Sequence, residues 1–93
     1  MQQVGFPLLI TINLLGGTKK IVGTSSLVFN RSIASISEIL EFLQKNAVAP
    51  KILDINTILI AVNGIESSAL SGNDTIVETG DIITIVSVVH GGI

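Results

Sequence analysis

The sequence predicts an α+β domain in which a mixed sheet of four to five strands carries one main helix on one face. Apolar residues alternate with polar ones early in the chain, recur with a helical period between residues 36 and 47, and then return to short apolar runs. Ile and Val, which pack well on a pleated sheet, make up more than a quarter of the 93 residues. A helix with one apolar face and strands on both sides of it in sequence packs across a sheet.

Composition limits the classes of protein to consider. Hydrophobic residues make up 47% of the chain and charged residues 13%, which excludes intrinsic disorder. No apolar run approaches the roughly 20 residues of a spanning helix, so we expect no membrane partner. The net charge of −2 and the lack of Tyr and Trp argue against direct nucleic-acid binding. Without cysteine, and with one histidine, we expect no metal, no cofactor and a cytoplasmic address.

The first predicted element is a strand over residues 7–15, followed by a second strand over residues 24–30. Together they form a hairpin whose long tip, residues 16–23, contains Gly16-Gly17. We interpret these two glycines as a turn rather than a phosphate-binding loop, because no Lys-Ser/Thr pair follows at the required spacing. One face of the first strand contains Leu8, Ile10, Ile12 and Leu14.

The main helix is predicted over residues 36–46. Ser35 and Glu38 have the spacing of a capping box, in which the hydroxyl and the carboxylate each accept a hydrogen bond from the other residue's backbone N–H. Pro50 limits the helix at its carboxyl end. Its apolar face contains Ile36, Ile39, Leu40, Leu43 and Ala47. We expect Ile39, Leu40 and Leu43 to pack against Ile10, Ile12, Ile58, Ile60, Ile83 and Ile85.

Three further strands are predicted after the helix. Residues 57–62 form a continuous apolar run, typical of a strand buried on both faces. Asn63-Gly64 predicts a tight turn into a short strand over residues 65–67. Residues 69–75 indicate a loop or a single helical turn, and Gly80-Asp81 precedes the last strand, over residues 82–88. The resulting order of strands and helix is that of the β-grasp fold, which hosts many functions.

Several short motifs follow one another in the last third of the chain. They are Val62-Asn63-Gly64, Leu70-x-Gly72, Thr75, Gly80-Asp81 with Ile83 and Ile85, and His90-Gly91-Gly92. This series resembles the ubiquitin-like sulfur carriers, which comprise the molybdopterin synthase small subunit, the thiamine-synthesis sulfur carrier and the ubiquitin-related modifier. Leu14-Leu15-Gly16-Gly17, Ile21-Val22-Gly23 and the ending are similar to the ubiquitin-related modifier. The resemblance implies a ubiquitin-like domain over residues 1–89 and a flexible tail over residues 90–93.

The resemblance implies a carrier rather than an enzyme. In this family a ubiquitin-activating-type enzyme uses ATP to adenylate the terminal glycine, and a sulfurtransferase supplies the sulfur of a thiocarboxylate. Gly92 is then the thiocarboxylate or conjugation site, and His90 and Gly91 are recognition residues of the tail. The sulfur would serve tRNA thiolation, and the protein could also be conjugated to lysines as a modifier.

Ile93 departs from the family pattern, in which active carriers end in glycine. Two glycines present a thin backbone that can enter a narrow passage, whereas a β-branched residue after them cannot follow easily. We therefore expect a processing protease to remove Ile93 and expose the carboxylate of Gly92.

Leu9, Ile82 and Val86 are expected opposite the helix-covered face. There they would form a partner-binding patch, although singly exposed apolar residues are also common, and the sequence leaves both interpretations open. Two alternatives to the proposed carrier also stay open. One is a molybdopterin synthase small subunit, and the other is a β-grasp interaction module whose glycines are never activated.

Overall fold

A mixed sheet and one long helix form the body of the domain in a computed structural model, which describes residues 9–47 and 55–87. The strands of the described residues are β1 (Ile10–Leu15), β2 (Ser26–Phe29), β3 (Ile33–Ser35), β4 (Ile58–Val62), β5 (Ile65–Glu66), β6 (Ile76–Glu78) and β7 (Ile82–Ser87). The helices are α1 (Gly17–Val22) and α2 (Ile36–Lys45), and 3-10 turns cover Ile55–Thr57, Ser67–Ala69 and Gly72–Asp74.

Five of these strands form the main sheet, in the order β2-β1-β7-β4-β5. β1 and β7 are parallel, and the other neighbours are antiparallel, so the sheet is mixed as the sequence predicts. β3 and β6 form a separate two-stranded ladder that the sequence did not predict. Each has three residues, too few to show an alternating pattern, and they pair across more than forty positions of the chain.

The core lies on the α2 side of the sheet. Ile39 and Leu43 of α2 are fully buried in one cluster with the inward-facing residues of β1 and β7, which confirms most of the predicted packing. Leu40 and Ile58 pack against the edge of this cluster and stay partly exposed. The fully buried residues of the two strands are Ile10, Ile12, Leu14, Ile83 and Ile85.

The predicted main helix is confirmed to within one residue at its carboxyl end. The Ser35 hydroxyl accepts a hydrogen bond from the N–H of Glu38 at 3.1 Å, and the Glu38 carboxylate accepts one from the N–H of Ser35 at 2.9 Å. The predicted capping box is therefore present. Pro50 lies outside the described residues.

The predicted hairpin tip is wrong, because residues 17–22 form the helix α1. Thr18 and Val22 lie one turn apart on its buried face, while Lys19 and Lys20 are exposed. Gly23 closes α1 in the left-handed conformation and donates to the carbonyl of Lys19 at 2.7 Å. A helix of six residues is too short for its period to be visible in the sequence.

The prediction that β4 is buried on both faces is also wrong. Leu59, in the middle of β4, is 44% exposed, because helix α2 covers only one face of the sheet. β2 is shorter than predicted, and Pro7, Leu8 and residues 88–93 lie outside the described residues. No helix in the part of the chain that the structure describes is long and apolar enough to cross a membrane.

Candidate functional site

The predicted reactive tail, His90 to Ile93, lies outside the described residues. The described residue next to it in sequence is Ser87, at the end of β7. The candidate functional surface among the described residues therefore comprises the end of β7, the elements that contact this strand end, and the outer face of the sheet.

β7 lies in the centre of the sheet and is held on both sides at its carboxyl end. Val86 is paired with Leu15 of β1 and with Leu59 of β4, and Ser87 is paired with Ile58. The strand that leads to the tail therefore has backbone partners up to its last described residue.

Leu15, Val86 and Leu59 form an apolar row across three neighbouring strands on the outer face. Leu15 is 49% exposed and Leu59 is 44% exposed, while Val86 between them is half-buried. Neighbouring strands lie about 4.8 Å apart, so the three side chains are adjacent. The row lies at the carboxyl end of β7, on the face that α2 leaves open.

The residues predicted as one partner-binding patch lie at two ends of this face. Ile82, which is 45% exposed, is paired with Thr11 and lies about 13 Å along β7 from Val86. Half-buried Leu9 precedes β1, and its carbonyl accepts a hydrogen bond from the N–H of Gly80 at 3.1 Å. Leu9 and Ile82 therefore lie at the amino end of β7, and Val86 lies in the apolar row.

Sequence reasoning did not select Leu15 and Leu59 for this surface. Leu15 continues the alternation of the first strand, in which residues 9, 11 and 13 face outward, so its position could have been found. Leu59 was hidden inside a continuous apolar run, in which alternation carries no signal.

The amino end of α1 packs against the end of β7. The Thr18 hydroxyl donates to the carbonyl of Leu15 at 2.6 Å and lies 3.1 Å from the carbonyl of Ile85. A Cβ added to Gly17 would lie 3.2 Å from both Cβ and Oγ of Ser87. Gly16-Gly17, predicted as a plain turn, is therefore packed beside the strand end that precedes the tail.

The Asn63-Gly64 and Gly80-Asp81 motifs meet at the other end of β7. Asn63 has φ of +51°, and its Nδ2 donates to Oδ1 of Asp81 at 2.9 Å. Its Oδ1 accepts from the N–H of Ile82 at 2.9 Å, and Oδ2 of Asp81 accepts from the N–H of Glu78 at 2.8 Å. These motif residues join two turns, so their role in this structure is to hold the sheet.

A shallow groove of about 220 Å³ runs beside β4. Its walls are apolar on the β4 side and largely small and polar on the other. It is lined by Ile58, Leu59, Ile60, Glu66, Ser67, Ser68, Gly72 and Asn73. Within residues 9–47 and 55–87, no three His, Cys, Asp or Glu side chains come together as metal ligands do.

The chain matches the model of the ThiS family over residues 12–92. No curated protein matches the sequence significantly.

Solved structures with the same fold include three small proteins. Urm1 from Trypanosoma brucei has a TM-score of 0.72 and 22% identity, over 90% of this chain and 95% of that one. Small archaeal modifier protein 1 from Methanosarcina acetivorans has a TM-score of 0.70 and 21% identity, over 95% of this chain and 100% of that one. A putative molybdopterin converting factor, subunit 1, from Pyrococcus furiosus has a TM-score of 0.68 and 14% identity, over 88% and 99%. The predicted β-grasp fold is thereby confirmed.

Proposed function

The chain belongs to the ThiS family, and from this membership we propose that it is a ubiquitin-like sulfur carrier whose Gly92 is activated by a partner enzyme. The observation that carries the proposal is that the family match includes Gly91-Gly92 and ends there. The ubiquitin-like sulfur carrier family inferred from the sequence motifs is the family to which the chain belongs.

The proposed chemistry takes place on the carboxylate of Gly92. This carboxylate attacks the α-phosphate of an ATP held by a ubiquitin-activating-type enzyme and releases pyrophosphate. A persulfide of a sulfurtransferase then displaces AMP from the acyl carbon, and cleavage of the resulting S–S bond by a second thiol leaves the thiocarboxylate. The chain supplies the acyl group and a thin backbone, while the catalytic groups belong to its partners. The chain itself is therefore not an enzyme in this proposal.

The apolar row is the proposed docking surface for the activating enzyme. Exposed apolar side chains that lie side by side mark interaction sites. Gly92 is six positions beyond Val86, so an extended tail reaches at most about 20 Å from the row. An enzyme that binds the apolar row can therefore reach the carboxylate of Gly92 with its active site, because this distance is smaller than the enzyme. Leu9 and Ile82 remain proposed partner-binding residues at the other end of the face.

Removal of Ile93 is part of the proposal. In the full chain the carbonyl of Gly92 is bonded to Ile93, so Gly92 has no carboxylate to activate until a processing protease removes Ile93. His90 and Gly91 would be recognised by the activating enzyme as the tail enters it. We assign the sulfur to tRNA thiolation in the cytoplasm, with conjugation to lysines as a second use of the same activated group.

The test compares a chain ending at Gly92 with the full chain. Incubated with ATP and its adenylating enzyme, the trimmed chain should release pyrophosphate, while the chain that keeps Ile93 should not. With a sulfur donor added, the intact mass of the trimmed chain should rise by the difference between sulfur and oxygen.

Two outcomes would contradict the proposal. Pyrophosphate release from a chain that keeps Ile93 would refute the processing step. A trimmed chain that is inert toward adenylating enzymes would favour the interaction module, whose glycines are never activated.

A further inference from the structure

Helix α1 contacts the carboxyl end of β7, the strand end that precedes the tail in sequence. Thr18 is 1% exposed, and its hydroxyl lies 3.1 Å from the carbonyl of Ile85, two residues before Ser87. The same hydroxyl donates to the carbonyl of Leu15 at 2.6 Å. A buried hydroxyl that joins two strands and a helix resists displacement, because a lost partner leaves a buried polar group unpaired.

Gly17 leaves room for Ser87. An added Cβ would approach both Cβ and Oγ of Ser87 to 3.2 Å, closer than the usual contact distance between carbon atoms. Gly16, with φ of +62° and ψ of −136°, supplies a positive-φ conformation that favours glycine and turns the chain from β1 into α1.

Other glycines of the fold serve a different purpose. Gly64 and Gly72 have positive φ, and nothing lies within 4 Å of a Cβ added to them. Glycine is favoured at these two positions because the backbone there has a positive φ. Gly17 has no positive φ and is instead limited by the neighbouring strand end. The absence of a side chain at Gly17 therefore allows Ser87 to occupy its observed position.

We propose that Gly16, Gly17 and Thr18 form a clip that fixes where the chain leaves β7, so that docking on the apolar row delivers Gly92 to the activating site. This inference rests on the proposed function. Gly92 is five positions beyond Ser87, so an extended tail spans at most about 17 Å from the clip. A fixed starting point limits the positions that Gly92 can reach, and holding reacting groups in place lowers the barrier of the step.

The test measures pyrophosphate release from chains ending at Gly92 with their adenylating enzyme. Gly17→Ala should lower kcat about threefold to tenfold, because Ser87 must shift by a fraction of an ångström, and should leave KM unchanged, because the apolar row is intact. Ser87→Gly removes both atoms that the new methyl group meets. The double variant should therefore have the kcat of Ser87→Gly alone.

Two further variants separate the clip from general effects on α1. Lys20→Ala changes an exposed residue of the same helix and should leave kcat unchanged. Thr18→Val keeps the shape of the side chain but removes its hydroxyl. Thr18→Val should lower kcat by a similar factor and speed amide hydrogen exchange of Ser87. If Gly17→Ala does not fold, Thr18→Val tests the clip in its place.

The outcomes that overturn the inference differ from those that overturn the proposed function. Unchanged kcat in both Gly17→Ala and Thr18→Val refutes the clip, and a loss in Gly17→Ala that Ser87→Gly does not relieve refutes the contact as its cause. An unsubstituted trimmed chain that releases no pyrophosphate refutes the proposed function and the clip with it.

Discussion

Glu38 shows how a single side chain stabilises the start of the main helix. Its carboxylate accepts a hydrogen bond from the N–H of Ser35 at 2.9 Å and lies 3.4 Å from Nη2 of Arg31. The hydrogen bond from the Ser35 backbone is the main cause that holds the pKa of Glu38 below its ordinary value of 4.5. Desolvation opposes this shift, and the nearby charge of Arg31 adds to it. The ion pair is exposed, so the capping box is the main way in which Glu38 stabilises the start of the helix.

This lowered pKa predicts a pH dependence of stability. The contribution of Glu38 is fully present above its unfolded pKa and is lost as the pH falls through its lower folded pKa. The free energy of unfolding of the protein should therefore decrease in acid from about pH 4.5 downward. In Glu38→Gln, denaturant melts should show a smaller decrease over the same range. An identical acid dependence in both proteins would contradict the assignment.

A second prediction at this scale concerns Ser35. Ser35→Ala removes the acceptor for the N–H of Glu38 and should cost about 1 kcal/mol of unfolding free energy in a denaturant melt. Ser37→Ala is a control in the same helical turn, because the Ser37 hydroxyl donates to the carbonyl of Asn73 on the surface and does not cap the helix. Equal losses in the two variants would show that the capping box is not the cause.

At the scale of elements, α2 is held by the residues that point into the sheet. Leu43 is fully buried, whereas Leu40 of the same helix stays partly exposed. Leu43→Ala should therefore cost about 2–5 kcal/mol, because it leaves a cavity. Leu40→Ala should cost less, since part of its side chain already faces water. Denaturant melts of both variants would check the helix orientation, and a larger loss for Leu40→Ala would contradict it.

The outer face of the sheet allows a matched test of docking. Leu59 in the apolar row is 44% exposed, and Val28 of β2 is 51% exposed on the same face but paired with Thr11, away from the row. Leu59→Asp should weaken binding to the activating enzyme about tenfold or more, whereas Val28→Asp should change it little. Titration calorimetry with the trimmed chain measures both affinities. Equal affinities of Leu59→Asp and Val28→Asp for the activating enzyme would show that the apolar row is not the docking surface.

At the scale of the whole molecule, the function depends on how the folded domain presents one carboxylate. Gly92→Ala in the trimmed chain should leave the melting temperature unchanged, because residue 92 follows the last core strand. It should slow pyrophosphate release, since a methyl group restricts φ and widens the tail. A Gly92→Ala chain that reacts as fast as the unsubstituted chain would show that the thinness of the tail is not required.

Much of the fold was predictable because its signals are local. The capping box lies within four consecutive residues, and its hydrogen bonds form as soon as the helix does. Asn63 and Gly64 both have positive φ, as their residue types indicated. The family motifs could also be recognised in sequence, although the side chains of Asn63 and Asp81 prove to hold two turns together.

The sequence by itself therefore determined the type and order of the main elements, the tight turn at Asn63-Gly64 and the motifs of the tail, because each depends on neighbours along the chain. Only the tertiary structure decided which face of β4 is open, that residues 17–22 form a helix, and that β3 pairs with β6. It also decided that Leu15, Val86 and Leu59 lie side by side, and that Gly17 lies against Ser87. These features depend on contacts between residues far apart in sequence, and a contact of that kind leaves no periodic pattern in either of the segments that make it.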